Sequence, residues 1–167
     1  MIFVCAMTMA QTNAYPLLPM PQNYKVTDKS FAMGKVKLST PVLKSEWEAF
    51  IVNAGGELAD KAAAEIKVEL LPVIDGVKLN PDEAYRLSVS GKLIKIEAVT
   101  ERGVYWALQT LRQLEKKKGK KSLFAGCEIV DWPAFRIRGF MQDVGRSYIS
   151  VEELKLSLIH ISEPTRH

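Results

Sequence analysis

At 167 residues, 47% hydrophobic and 25% charged, the chain has the size and composition of one ordinary globular domain, which excludes a disordered tail. Two cysteines exclude a disulfide framework, and Cys127 reads as a small buried hydrophobe. Much of the net charge of +4 comes from one run, Lys116, Lys117, Lys118, Lys120 and Lys121, so no wider basic surface suggests a nucleic-acid partner.

Residues 1–14 read as the remnant of a secretory signal: an apolar run from Ile2 to Met9, then small-residue cleavage options after Ala10 or Ala14. The run is too short to span a bilayer, and Val4 makes Cys5 a poor lipoprotein cysteine. The basic segment that opens such signals is missing, so the true start is expected upstream of Met1. An exported protein, periplasmic or extracellular, is expected; a buried N-terminal strand is the alternative.

Pro16, Pro19 and Pro21 then impose an extended lead-in. Asn23 to Val26, Phe31 to Met33 and Lys35 to Leu38 suggest short strands. A helix is expected from Ser45 to Asn53, with Ser45 as N-cap, Trp47, Phe50 and Ile51 on one face, and Gly55-Gly56 as its stop. Glu65 to Leu71 alternates apolar and charged residues and predicts a half-buried strand. After the Asn80-Pro81-Asp82 turn, Tyr85, Leu87 and Val89 alternate. Ser90-Gly91-Lys92 then connects them, as a hairpin, to Ile94, Ile96 and Ala98. Thr100 caps a helix expected to run to Lys117. Its face is Val104, Ala107, Leu108, Leu111 and Leu114, with lysines at its C-terminus and Gly119 beyond. Ser122 to Val130 reads as extended, and Asp131-Trp132-Pro133 as a break. Trp132 is expected to pack between domains, with stacking on a sugar as the alternative.

Residues 15–130 thus predict an α+β domain, a mainly antiparallel sheet with helices on one face. From Asp131 to Lys155 the pattern changes. Arg138 to Val144 is apolar on both sides of the pleat, and Ser150 with Glu153 forms a capping box opening a helix at Val151. A buried strand followed by a helix is the first βα unit of an incomplete (β/α)8 barrel. From Leu156 the sequence L-S-L-I-H-I-S-E-P-T-R resembles the in-frame translation of a transposase adapter from sequencing libraries, so residues 156–167 are expected to be non-native. His160 and His167 lie in that tail, and neither a metal nor a cofactor is assigned.

The stretch D-W-P-A-F-R-I-R-G-F-M-Q-D-V-G-R, Asp131 to Arg146, resembles the signature that opens the catalytic barrel of glycoside hydrolase family 20, the β-N-acetylhexosaminidases. Asp131, Pro133, Phe135, Arg138, Gly139, Met141, Asp143 and Arg146 match it, while Ala134 and Gln142 depart from it. Upstream, T-E-R-G-V-Y-W-A-L-Q-T-L-R-Q-L resembles the small non-catalytic domain preceding that barrel, chiefly at Gly103 and Leu108-Gln-Thr-Leu111.

The resemblance implies a retaining hydrolysis in which the substrate's 2-acetamido group is the nucleophile. A glutamate acts as acid/base and an aspartate steadies the acetamido group, both on a later strand beyond Lys155. The chain alone is therefore expected to be inactive. It also implies that Arg138 grips the adjacent 3- and 4-hydroxyls of a terminal N-acetylglucosamine or N-acetylgalactosamine, as a planar set of donors suits. An ion pair of Arg138 with Asp143 or another acid is the structural alternative. Asp143 and Arg146 read as mutual charge partners rather than substrate contacts. Two rivals stay open: the N-terminal domain of another carbohydrate-active enzyme, such as an α-glucuronidase or α-N-acetylglucosaminidase, and a non-catalytic carbohydrate- or anion-binding module.

Overall fold

A computed structural model describes residues 17–119, 121–139, 150–153 and 155. The chain divides into two compact units, Met1–Arg136 and Ile137–His167.

In the first unit the alternating runs form the strands that their burial demands. In chain order these are β1 (Asn23–Val26), β2 (Phe31–Ala32), β3 (Lys35–Ser39), β4 (Glu57–Leu58), β5 (Ala64–Leu70), β6 (Tyr85–Ser90) and β7 (Leu93–Ala98), then β8 (Glu115–Lys118), β9 (Lys121–Phe124) and β10 (Cys127–Asp131). Helix α1 (Lys44–Asn53) lies between β3 and β4, and α2 (Glu101–Gln113) between β7 and β8. A seven-stranded sheet has the order β1-β10-β6-β7-β5-β3-β4, and a three-stranded sheet has the order β2-β9-β8.

The expected mainly antiparallel sheet needs correction. The small sheet is wholly antiparallel, as are β1·β10, β10·β6 and β6·β7 in the large one. The pairs β7·β5, β5·β3 and β3·β4 are parallel. Two crossovers cause this: α1 carries the chain from β3 back to start β4 and then β5 in the same direction, and the connection from β5 to β6 passes β7, so the hairpin returns β7 parallel to β5.

Helices on one face is what the burial pattern shows. Ile66, Val68, Leu87, Val89, Ile94, Ile96, Cys127 and Ile129 turn inward to one cluster with Trp47, Phe50 and Ile51 of α1 and Val104, Ala107, Leu108 and Leu111 of α2. Phe50 meets Phe124 at 5.6 Å and Trp47 at 5.9 Å between ring centroids, so α1 joins the small sheet to the main core. The outward residues of the same strands form a charged lattice. Lys95 pairs with Glu69 and Glu97, and Arg86 also reaches Glu97. The hydrogen bond from Lys95 is the main reason the Glu97 carboxyl is held below its ordinary range.

Three local expectations change. Helix α1 begins at Lys44 after Leu43, which takes a left-handed φ of 53° and offers no side-chain cap. Ser45 is therefore inside the helix, where its hydroxyl donates to Glu46. Helix α2 does start on Thr100, whose hydroxyl accepts from the Arg102 amide, but it ends at Gln113. The capping residue Leu114 is buried, and Lys116 to Lys118 beyond it belong to β8. The segment read as one extended run is two strands, β9 and β10. The break falls at Gly126, where a Cβ would lie 2.5 Å from the Lys29 carbonyl oxygen.

Cys127 is fully buried on β10, and burial pushes its thiol up to about 12. Since the thiolate is the reactive form, Cys127 is expected to resist iodoacetamide in the native protein at pH about 8 and to react promptly once unfolded. Equal alkylation rates in the two states, followed by mass spectrometry, would contradict this placement.

Cys5 and the rest of the expected signal remnant, Lys120, Phe140 to Val144 of the expected barrel strand, Arg146 and the tail with His160 and His167 lie outside the described residues. Residues 151–153 and 155 are helical, and the capping box forms, with the Glu153 amide donating to the Ser150 hydroxyl at 3.2 Å and the Ser150 amide to the Glu153 carboxylate at 2.9 Å.

Candidate functional site

The motif divides into a part held by the first unit and a part beyond it. Asp131 ends β10 and has two partners. One carboxylate oxygen accepts from the Gln22 amide at 3.0 Å, the other from the Tyr85 hydroxyl at 3.2 Å. That leaves Tyr85 no proton for Thr110, so at 2.6 Å the Thr110 hydroxyl is the donor. Burial, reinforced by the Asp131 charge, raises the Tyr85 phenol above its ordinary value and keeps it protonated.

Trp132 is 8% exposed and packs against Ile74 and Ala84. Within the first unit it is a packing residue, set against the turn before β6. Asn80, in a left-handed conformation with φ 45°, donates to the Pro133 carbonyl at 2.7 Å. Residues 131–133 are thus held by the lead-in, by β6 and by the turn before it.

Asp131→Ala is expected to cost about 2 kcal/mol, because it removes an acceptor shared by a backbone amide and a buried hydroxyl. Asp131→Asn should cost about half as much. Urea denaturation monitored by tryptophan fluorescence checks both, and unchanged midpoints would show the clamp to be without weight.

Arg138 lies beyond this clamp in the second unit, exposed and in irregular backbone. Phe135 and Ile137 nearby are 74% and 91% exposed. Asp143 and Arg146, the other charged positions read from the motif, lie outside the described residues. Among the described residues no group of three or more histidine, cysteine or carboxylate side chains is placed to hold a metal. No described helix is long and apolar enough to cross a membrane.

One surface escaped the sequence reading. A cleft of about 450 Å³ is lined by Leu43, Glu83, Glu101, Arg102, Tyr105 and Trp106. The Trp106 indole donates to Glu83 at 2.8 Å and meets the Tyr105 ring edge-on at 5.3 Å. The signal was present: Tyr105 and Trp106 are adjacent aromatics off the inward stripe of α2.

A family model described as glycosyl hydrolase family 20, domain 2, matches residues 14–132. A β-hexosaminidase of Porphyromonas gingivalis is 28% identical over 155 residues, 83% of this chain and 20% of its own length. Another from Vibrio furnissii is 34% identical over 96 residues, 58% of this chain and 15% of its own. Among solved structures, a GH20 exo-β-N-acetylglucosaminidase from Vibrio harveyi in complex with N-acetylglucosamine superposes with a TM-score of 0.63 at 30% identity, covering 88% of this chain and 23% of that one. The chain spans a fifth or less of the length of these curated relatives.

Proposed function

The chain belongs to glycosyl hydrolase family 20, and from that premise we propose that it is the leading part of an exported β-N-acetylhexosaminidase removing terminal N-acetylglucosamine or N-acetylgalactosamine from glycans. The observation that carries this is continuity. The family match over residues 14–132 runs directly into the Asp131–Arg146 signature. Relatives named β-hexosaminidase and a neighbour that holds N-acetylglucosamine support the substrate class.

In this reading residues 1–14 are a signal remnant, residues 131–155 begin a (β/α)8 barrel, and residues 156–167 are adapter-derived. Arg138 holds the terminal sugar by two adjacent hydroxyls, which fixes the ring while its own acetamido group attacks the anomeric carbon. The acid that protonates the leaving oxygen and the carboxylate that steadies the acetamido group are supplied by residues after Lys155, so this chain alone binds no transition state. The source gene, sequenced past the codon for Lys155, is expected to encode an adjacent Asp-Glu pair at the end of a later strand. A gene that closes without such a pair sinks the enzymatic reading and favours a non-catalytic module.

A further inference from the structure

The lysines of the main sheet are matched by glutamates: Lys25 with Glu128, Lys35 with Glu57, Lys37 with Glu65, Lys67 with Glu69, and Lys95 with Glu69 and Glu97. In the hairpin of β8 and β9 the ladder itself brings like charges together. Its register sets Lys118 opposite Lys121, Lys117 opposite Ser122 and Lys116 opposite Leu123. Residues opposite one another share a face, and faces alternate along a strand. Lys116, Lys118 and Lys121 therefore stand together on one side of the ribbon, while Ser122 and Phe124 are buried on the other. Gly119, with φ 64°, makes the turn that sets Lys118 and Lys121 side by side.

Like charges directly opposite in a ladder are destabilising. Among the described residues neither Lys118 nor Lys121 makes an ion pair to relieve this. The formal net charge of +4 is smaller than the charge of the five lysines at 116, 117, 118, 120 and 121, so the rest of the chain is net negative. The positive field is thus concentrated on one narrow ribbon. Strand β8 is also the edge of its sheet, and exposed lysines on an edge resist pairing with a further strand. A partner here is met by side-chain charge, not by strand addition.

We propose that the outer face of this hairpin, Lys116, Lys118 and Lys121, docks an acidic polysaccharide carrying uronate or sulfate groups. The choice of polymer rests on the reading of the protein as a glycan-degrading one. The geometry supports it. Lys116 and Lys118 are alternate residues of β8, about 7 Å apart along the strand, and Lys121 faces Lys118 across the ladder, so three ammonium groups crowd a small face that suits the closely spaced uronate or sulfate groups of a polyanion. A bilayer calls for a broader basic face with apolar side chains to insert, and this face offers only the half-buried Leu123. The consequence is retention of charged polymers, a contact that involves neither Arg138 nor the catalytic acids.

The test is a salt titration of the 167-residue chain with chondroitin sulfate, followed by calorimetry, beside neutral dextran, duplex DNA and phosphatidylglycerol vesicles. Binding to the acidic polysaccharide is expected at low salt, fading as ionic strength rises, with none to dextran. Lys118→Thr/Lys121→Thr should weaken it about tenfold and flatten the salt dependence by about two charges. Lys25→Thr/Lys35→Thr removes the same net charge from matched positions and should leave affinity within about twofold.

Circular dichroism confirms that each variant is folded. Absence of binding at low salt, equal weakening by both double variants, or tighter binding to DNA or vesicles than to the polysaccharide would overturn the proposal. Because the readout is binding by this chain, its failure is separate from that of the glycosidase reading, which the extended gene decides.

Discussion

Gly103→Ala is expected to lower the stability of the domain by about 3 kcal/mol and its Tm by about 10 °C. Helix propensity alone argues the reverse, since alanine is favoured over glycine in a helix by up to about 1 kcal/mol. Packing decides the sign. A Cβ at position 103 would lie 2.2 Å from the Ala84 carbonyl oxygen and 3.0 Å from the Ala98 methyl group. The first of these is backbone and cannot swing aside.

Helix α2 would have to lift from β6 and β7, loosening Val104, Ala107 and Leu108 together. Gly34→Ala is the control, because a Cβ there meets nothing within 4 Å, and it should change stability by less than about 0.5 kcal/mol. Thermal melts of both variants make the comparison. A Gly103→Ala protein as stable as Gly34→Ala would mean that the close approach of helix and strand is not a constraint.

Arg138→Ala, introduced into the longer enzyme, is expected to reduce kcat/KM on an aryl N-acetylglucosaminide by about a hundredfold or more. Two hydrogen bonds from a charged donor contribute about 1.5–3 kcal/mol each, and each 1.4 kcal/mol is a factor of about ten. Arg138→Lys should recover only part of the loss, because an ammonium group lacks the planar fork that meets two adjacent hydroxyls at once. The structural alternative, an ion pair to a neighbouring acid, predicts a different pattern: a lower Tm with kcat/KM within about threefold of the parent. Measuring both quantities on the same variants separates the two readings.

The inward and outward faces of the first unit were legible in the sequence because burial writes itself as period. Ile66 and Val68, Leu87 and Val89, and Ile94 and Ile96 alternate with charges, and α2 shows its stripe at spacings of three and four. The parallel half of the sheet was not legible. Which strand pairs with which depends on the paths taken by α1 and by the connection from β5 to β6, and no single residue records those paths. Strand β8 was missed because Glu115 to Lys118 carries almost no apolar signal and follows a helix without a proline or glycine between them.

The role of Gly103 was visible only as family likeness; its cause, the Ala84 carbonyl, comes from the residue just before β6, 19 residues earlier in the chain. For the candidate site, the motif singled out Arg138 by likeness alone. It could not reveal that Asp131 and Trp132, in the same motif, are anchored in the upstream unit.

The pairing of β1 with β10 has a further consequence. Asn23, near the beginning of the described chain, sits beside Val130, and Gln22 bonds to Asp131, so the two ends of this unit meet at one corner. A domain with neighbouring ends behaves as a cassette. It can be spliced ahead of a new partner, inserted into a loop, or rejoined end to end and reopened at Gly91-Lys92, without unthreading any strand from the sheet. Such portability gives evolution a ready-made unit to set in front of different catalytic modules, with Asp131 as the fastening at the joint.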